Sequence, residues 1–319
     1  MRLGTVTAGI RNGVNMVNAG VIGCSAAPPP GLVRHGIVRG VFARSVHVAL
    51  TDGAFLTLGG MQLAVHPASI LWPGFAGGVE VGREMDVTTE GLYTEGKQCT
   101  PFAGMAVFTP SSWCRPMAEA ERIVSAVAAS FEQAARIPAR GGFHEILLRR
   151  LGAAPLGPPD RLSDRLARLE GDWCSDLART LALGDWEKFM RQAVDGAGMG
   201  AGLTPAGDDF LAGMLAALRY HGRSRGADVV SQPFLENLAR LAGERTTPFS
   251  AFLLRCSARG LVAEPFSAWL SAVHSGEAAT AARQVRDIAG IGHSSGLDTL
   301  SGMLLALQTV MGERQWTDR

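Results

Sequence analysis

Hydrophobic positions change their period once along this chain. From about Gly31 to Trp113 they alternate in short runs. His35–Arg44 interleaves Val and Ile with polar residues, Ser45–Thr51 contains Val-His-Val-Ala-Leu, and Ala54–Leu58 and Met61–Val65 follow around glycine turns. Val79–Val87 and Met105–Thr109 continue the pattern. A period of two in runs this short, punctuated by Gly, Pro and Asp, predicts the strands of a small antiparallel sheet or barrel.

After Pro116 the period lengthens to that of a helix. Met117–Arg136 puts Ile123, Val124, Val127 and Phe131 close to an i, i+4, i+8 stripe. Pro138-Ala-Arg-Gly-Gly142 breaks the chain, Phe143–Leu151 reads as a short helix, and Gly157-Pro-Pro159 breaks it again. Further helices are predicted at Asp160–Leu183, Asp185–Val194, Asp208–Tyr220, Pro233–Leu241, Pro248–Arg259, Pro265–Val273, Glu277–Ala289 and Gly296–Met311. Several open on proline, which the first helical turn tolerates. The expected fold is α+β: a small, mostly antiparallel β-rich domain over residues 1–115, then a mainly α-helical domain over residues 116–319.

The helical part repeats itself. Gly207-Asp-Asp-Phe-Leu-Ala-Gly-Met-Leu-Ala-Ala-Leu218 aligns without gaps on Gly296-Leu-Asp-Thr-Leu-Ser-Gly-Met-Leu-Leu-Ala-Leu307, with eight of twelve positions identical. Two similar loop-to-helix units follow from this. Gly207 and Gly296 let the chain turn into a helix without a Cβ clash. Asp209 and Asp298 fall in the first turn, where the helix dipole favours a carboxylate and where plain capping is the alternative role. Gly213 and Gly302 sit inside helices, at a cost of about 1 kcal/mol against Ala. A close approach of another helix or of a ligand would offset that.

The first unit is preceded by Gly198-Met-Gly-Ala-Gly-Leu-Thr-Pro. Glycines at alternate positions 198, 200 and 202 can expose successive backbone N–H groups, and beside a helix N-terminus such groups can hold a phosphate or carboxylate. Thr204 adds a hydroxyl. Asp208 and Asp209 suit a cation, an amide or an ammonium group. The loop is neither a dinucleotide fingerprint nor a Walker A loop, because a helix rather than a strand precedes it and no Lys-Ser or Lys-Thr follows. Two other helix starts join the candidate site. Arg245, Thr246, Thr247 and Ser250 surround one, with Arg245 able to clamp an anion through two parallel bonds. His293, Ser294 and Ser295 precede the other, with His293 at the place equivalent to Thr204 and able to act as a general acid or base. One pocket lined by Thr204, Asp208, Asp209, Arg245, His293 and Asp298 is the expectation. A packing loop with ordinary caps is the alternative for each part.

Composition narrows the classes. Apolar residues make up 47% of the 319 residues and charged residues 18%, enough apolar material for a sizeable core. A formal net charge of +1 gives no basic excess that would point to nucleic acid. Five widely spaced cysteines without a CxxC pair argue for reduced, mostly buried thiols. Arg2 and Arg11 precede Val14–Cys24, a weakly apolar run that Asn15 and Asn18 interrupt, so no signal peptide is expected. No run of 18 apolar residues predicts a membrane span, and the cytoplasm is the expected location. Ser111 and Ser112 lack a nucleophile-elbow context, and the remaining histidines are scattered.

The segment Gly198-Met-Gly-Ala-Gly-Leu-Thr-Pro-Ala-Gly-Asp-Asp-Phe-Leu-Ala-Gly213 closely resembles the signature of a family long catalogued as a domain of unknown function, whose named member is AllH, a subunit of oxamate carbamoyltransferase. Arg245-Thr-Thr-x-x-Ser250 and Ser295-Gly-x-Asp298 resemble it too, as does the layout of β-rich part and helical part. The resemblance implies an enzyme that moves a carbamoyl group between oxalurate and phosphate in anaerobic allantoin breakdown, within purine catabolism. It also implies partner subunits and a small anionic or ureido substrate. On this reading Asp208, Asp209 and His293 are the catalytic candidates. Gly198, Gly200, Gly202, Thr204, Gly207, Arg245, Thr246, Thr247, Ser250, Ser294, Ser295 and Asp298 would bind substrate. Two alternatives stay open. Gly296-Leu-Asp-Thr299 distantly resembles the Asp-rich helix starts of ADP-ribosylglycohydrolases, where Asp208, Asp209 and Asp298 would suit Mg2+ or Mn2+. A non-catalytic assembly subunit would use the same glycines for helix packing.

Overall fold

The computed structural model describes residues 5–7, 20–75, 78–110, 117–138, 141–150, 161–226 and 229–312. Ser111, Ser112, Cys114, the boundary near Arg115, most of Val14–Cys24 and the helix ends at Leu151 and Asp160 lie outside them. Contacts divide the chain into two units, Met1–Ser112 with Val262–Ser267, and Trp113–Leu261 with Ala268–Arg319.

The first unit is a ten-stranded sheet among the described residues. Its strands are β1 (Thr5–Thr7), β2 (Val21–Gly23), β3 (Arg34–Val41), β4 (Ser45–Leu50), β5 (Phe55–Gly59), β6 (Ser69–Leu71), β7 (Glu84–Val87), β8 (Gly91–Thr94), β9 (Lys97–Pro101) and β10 (Ala106–Thr109), in spatial order β1-β10-β2-β6-β5-β4-β3-β7-β8-β9. Six of the nine strand pairs are antiparallel; β1 with β10, β10 with β2 and β5 with β6 are parallel. Period-two burial explains the central strands. Val46, Val48 and Leu50 of β4 and Leu56 and Leu58 of β5 point into the core, with half-buried residues between them. Between these strands Gly53 takes φ +80°, and Asp52 accepts the Ala54 N–H at 3.0 Å, a turn that glycine and aspartate favour. Met61–Val65 is not a strand: it turns, with the Leu63 N–H bonded to the Gly60 carbonyl.

The second unit holds the helices. They are α1 (Ala120–Ala135), α2 (Gly142–Arg150), α3 (Arg161–Leu183), α4 (Trp186–Asp195), α5 (Ala206–Arg225), α6 (Gln232–Gly243), α7 (Pro248–Ala258), α8 (Glu264–His274), α9 (Ala278–Ala289) and α10 (Ser295–Val310). The first residues of α8, as far as Ser267, count with the β unit. Local chemistry sets several starts. Ser231 caps α6 and Thr247 caps α7, each with a proline in the first turn. Asp185 caps α4.

The two echo helices, α5 and α10, form the most extensive helix pair. Gly207–Gly222 of α5 and Gly296–Gln308 of α10 are buried on every side, as expected of helices surrounded by others. Their crossing is reciprocal. A Cβ on Gly213 would lie 1.9 Å from the Thr299 carbonyl oxygen, and a Cβ on Gly302 would lie 1.9 Å from that of Phe210. Phe210 and Thr299 occupy equivalent positions of the two echoes, so the pair has an approximate two-fold relation.

The cysteines depart from expectation. Cys174 and Cys256 are buried, but Cys24 and Cys99 are exposed, because they sit in a turn and on the edge strand β9 rather than in either core.

Candidate functional site

The glycine-rich loop joins α4 to α5 at the protein surface. Gly198, Gly200 and Gly202 have φ of +77°, +105° and +106°, values that L side chains rarely adopt. The loop therefore zigzags, with Met199 and Ala201 on ordinary backbone between them. No hydrogen bond within the described residues uses the N–H groups of residues 200–204, which lie in the exposed part of the loop running into half-buried Thr204.

Asp208 holds this loop in place. It is 2% exposed; its Oδ1 accepts the Gly198 N–H at 2.7 Å and its Oδ2 accepts the Thr246 hydroxyl. The Gly207 N–H closes the same turn on the Met199 carbonyl at 2.8 Å. Thr247 and Ser250 reach the loop from the start of α7. The Thr247 hydroxyl donates to the Leu203 carbonyl at 2.8 Å and accepts the Ser250 N–H, while the Ser250 hydroxyl donates to the same carbonyl at 3.4 Å.

The second echo unit meets the first through Thr204 and Ser295, whose hydroxyl oxygens lie 3.2 Å apart. Both hydroxyls lie beside the Asp209 carboxyl and favour its charged form. Burial, then the nearby Asp298 and Asp208 carboxylates, push the Asp209 carboxyl well above the usual carboxylate range; the two hydroxyls act against that. Asp209 is 7% exposed, and its Oδ2 is buried with no hydrogen-bond partner among the described residues. Asp298, its echo counterpart, is fully buried and faces a third helix start. Its Oδ1 accepts the Phe143 N–H at 2.7 Å and the His144 N–H at 3.4 Å, capping α2 across 155 residues of chain. Phe143, Phe210 and Trp173 pack as an aromatic cluster behind it, with ring centroids 4.6–5.4 Å apart.

Many of the expected residues thus lie together: Gly198, Gly207, Asp208, Thr246, Thr247 and Ser250 hold the loop through hydrogen bonds, Thr204 and Ser295 meet each other, and Asp209 feels the charges of Asp208 and Asp298, with Gly200 and Gly202 on the exposed loop. Arg245 stands differently. Its guanidinium pairs with Asp195 at 2.8 Å on the surface, while its backbone carbonyl backs Gly198. An exposed pair of this kind contributes about 0–1 kcal/mol. His293 is exposed in the turn before α10, and half-buried Ser294 is the N-cap residue of α10 without a side-chain cap bond. The part played by α2 has only one trace in the sequence, the Gly141-Gly142 pair that releases the chain into a helix.

The carboxylates do not make a metal centre. Both oxygens of Asp208 and Oδ1 of Asp298 accept hydrogen bonds from N–H or O–H groups, whose positive ends oppose a cation. No group of three His, Cys, Asp or Glu residues among those described is placed to hold a metal ion.

The site defines a helical protein whose two matching helix starts and glycine-rich loop converge on buried carboxylates. Residues 197–307 match the family model of oxamate carbamoyltransferase subunit AllH, a stretch that contains both echo units whole. No solved structure matches the chain. No helix among the described residues is long and apolar enough to cross a membrane.

Proposed function

We propose that this chain is a subunit of an oxamate carbamoyltransferase-like enzyme and that residues 200–204 bind the phosphate or carboxylate of its substrates. The observation that carries this reading is the set of N–H groups at residues 200–204, which no hydrogen bond within the described chain uses. They lie on a loop of alternating backbone conformation beside the N-terminus of α5. N–H groups left unused beside a helix N-terminus favour an anion. Asp208, Thr246 and Thr247 fix the loop's shape in advance, which lowers the ordering cost of binding. The match over residues 197–307 supports the reaction class. In that reaction a carbamoyl group passes between a ureido acid and phosphate: oxalurate and phosphate give oxamate and carbamoyl phosphate, with the C–N bond of the ureide broken and a C–O bond to phosphate formed.

On this reading Asp208 supports the loop rather than touching substrate. Asp209 and His293 are the groups assigned to the ureido end, and partner subunits supply the rest of the enzyme. Calorimetry of the full chain with phosphate, carbamoyl phosphate and oxamate tests the proposal. Saturable heat with an anion that disappears in Gly200→Ala is the expected result, and silence with all three rejects it.

A second reading, a non-catalytic assembly subunit, draws on the reciprocal Gly213–Gly302 crossing, which gives both interior glycines a packing role. Turnover of the reconstituted complex separates the two. Asp209→Ala leaves it unchanged if the chain only assembles, and lowers it at least ~100-fold if Asp209 meets the substrate.

A further inference from the structure

The two echo units place chemically identical carboxylates in unlike surroundings. Asp298 sits in the first turn of α10, and its Oδ1 receives two peptide N–H groups from the start of α2. Asp209 sits at the equivalent place in the first turn of α5. The hydroxyls of Thr204 and Ser295 lie beside it, and its buried Oδ2 is without a partner among the described residues, in a residue only 7% exposed. A buried carboxyl oxygen with no donor is costly, and a matching donor recovers that cost.

On the reading of the site as an anion-binding loop, we infer that Asp209 is the acceptor for the N–H2 group of an amide or ureido ligand, taking from it the bonds that Asp298 takes from the peptide N–H groups of Phe143 and His144. The anionic end of the ligand lies on the N–H groups of residues 200–204, and its amide end reaches Asp209. The Thr204–Ser295 contact of 3.2 Å, between two half-buried residues, lies beside Asp209. Asp208 and Asp298 are the other carboxylates that act on Asp209. A ligand bearing a second carboxylate in place of the amide would add negative charge to this group. The geometry therefore selects amide over acid within one molecular outline.

Oxamate and oxalate provide that comparison, since oxalate replaces the amide nitrogen with oxygen. Calorimetry on the full chain with inorganic phosphate, oxamate and oxalate is the test. The wild type is expected to bind oxamate at least ~10-fold more tightly than oxalate, although a plain anion site would prefer the dianion. Asp209→Asn is expected to bring the two affinities within ~3-fold of each other while phosphate binding stays unchanged. Phosphate binding with oxalate equal to or better than oxamate overturns the inference and leaves the anion-loop reading standing. So does an oxamate preference that survives in Asp209→Asn. No binding of any of the three overturns both. Should Asp209→Asn not fold, proton linkage in the wild type decides. Donation from an N–H group favours the charged carboxylate, so oxamate binding releases protons that oxalate binding does not, as measured in buffers of different ionisation enthalpy. Equal release for both ligands overturns the inference.

Discussion

Gly213 and Gly302 are each the contact point of the other's helix: a Cβ on either would lie 1.9 Å from a carbonyl oxygen of the opposite echo. The crossing is as close as two backbones allow, and a methyl group has nowhere to go. Gly213→Ala and Gly302→Ala gain the better helix propensity of alanine, about 1 kcal/mol. The helices must nevertheless separate, and the net expectation is a loss of about 2–4 kcal/mol, read as a fall in Tm of roughly 5–15 °C. Because both substitutions force the same separation, the double variant should lose less than the sum. Full additivity in thermal melts would show that the two glycines do not share one contact.

Gly200 has φ +105°, and a Cβ there would lie 2.9 Å from the Ala206 nitrogen. Gly200→Ala reshapes the exposed loop at a cost of about 1–3 kcal/mol, and phosphate affinity should fall by at least ~10-fold. Phosphate titration of the variant with unchanged affinity would remove the loop from the site.

Asp208 separates a brace from a catalyst. Thr246 carries a hydroxyl that can accept as well as donate, so Asp208→Asn can keep both of its bonds and should cost only about 1 kcal/mol. Asp208→Ala strands the Gly198 N–H and the Thr246 hydroxyl and should cost about 2–4 kcal/mol. Denaturant titrations check the order. A fully folded Asp208→Asn without turnover would mean that the carboxylate acts on the substrate directly.

His221 and His274 make the helical unit sensitive to acid. The Leu270 carbonyl lies 2.9 Å from His274 Nδ1, which therefore carries its proton, and His274 Nε2 accepts from His221 Nδ1 at 3.2 Å. Burial holds both imidazoles down to about 4, with His274 and Arg225 adding to the effect at His221. The unfolded chain takes up these protons near 6.5, whereas the folded chain resists until about 4. Stability is thus full above pH 6.5 and lost as pH falls towards 4, at about 1.4 kcal/mol per pH unit for each histidine. His221→Gln with His274→Gln should flatten the stability profile over that interval. An unchanged slope would show that the pair does not titrate on unfolding.

Asp209 acts with the opposite sign. Its carboxyl is raised in the folded state above the ordinary 3.8, so its contribution is most favourable in acid and declines as pH rises through the folded value. Asp209→Asn should therefore melt higher than the wild type at pH 8 and lose that advantage at pH 4. The same difference at both pH values would mean that the carboxyl is charged throughout.

The sequence made the helical unit legible because its cues are local. Ser231, Thr247 and Asp185 cap the helices they precede, prolines open α6 and α7, and the echo announced that α5 and α10 are built alike. The twelve-residue match also placed Gly213 and Gly302 where a close approach was needed. The β unit was legible where apolar residues alternate, as in β4 and β5, and not in β9, which buries one residue of five. The three-residue strands β2 and β6 show no period, and Met61–Val65 looks like a strand although its turn is set by the Leu63–Gly60 bond. At the site, Thr204, Asp208 and Asp209 could be read from their spacing. The bond from Asp298 to α2 could not, because it joins residues far apart in the chain by a tertiary contact. Nor does spacing announce the exposed pairing of Arg245 with Asp195, fifty residues earlier.

The bond from Phe143 to Asp298 also has a consequence in time. A chain leaves the ribosome from its N-terminus, and α2 emerges with its first N–H groups unsatisfied until the carboxylate that caps them is translated 155 residues later. At about 5–20 residues per second that interval is on the order of ten to thirty seconds. During it α5 has no α10 to cover its apolar surface. Among the described helices α10 is made last, and the cover of α5 and the cap of α2 are completed only with it.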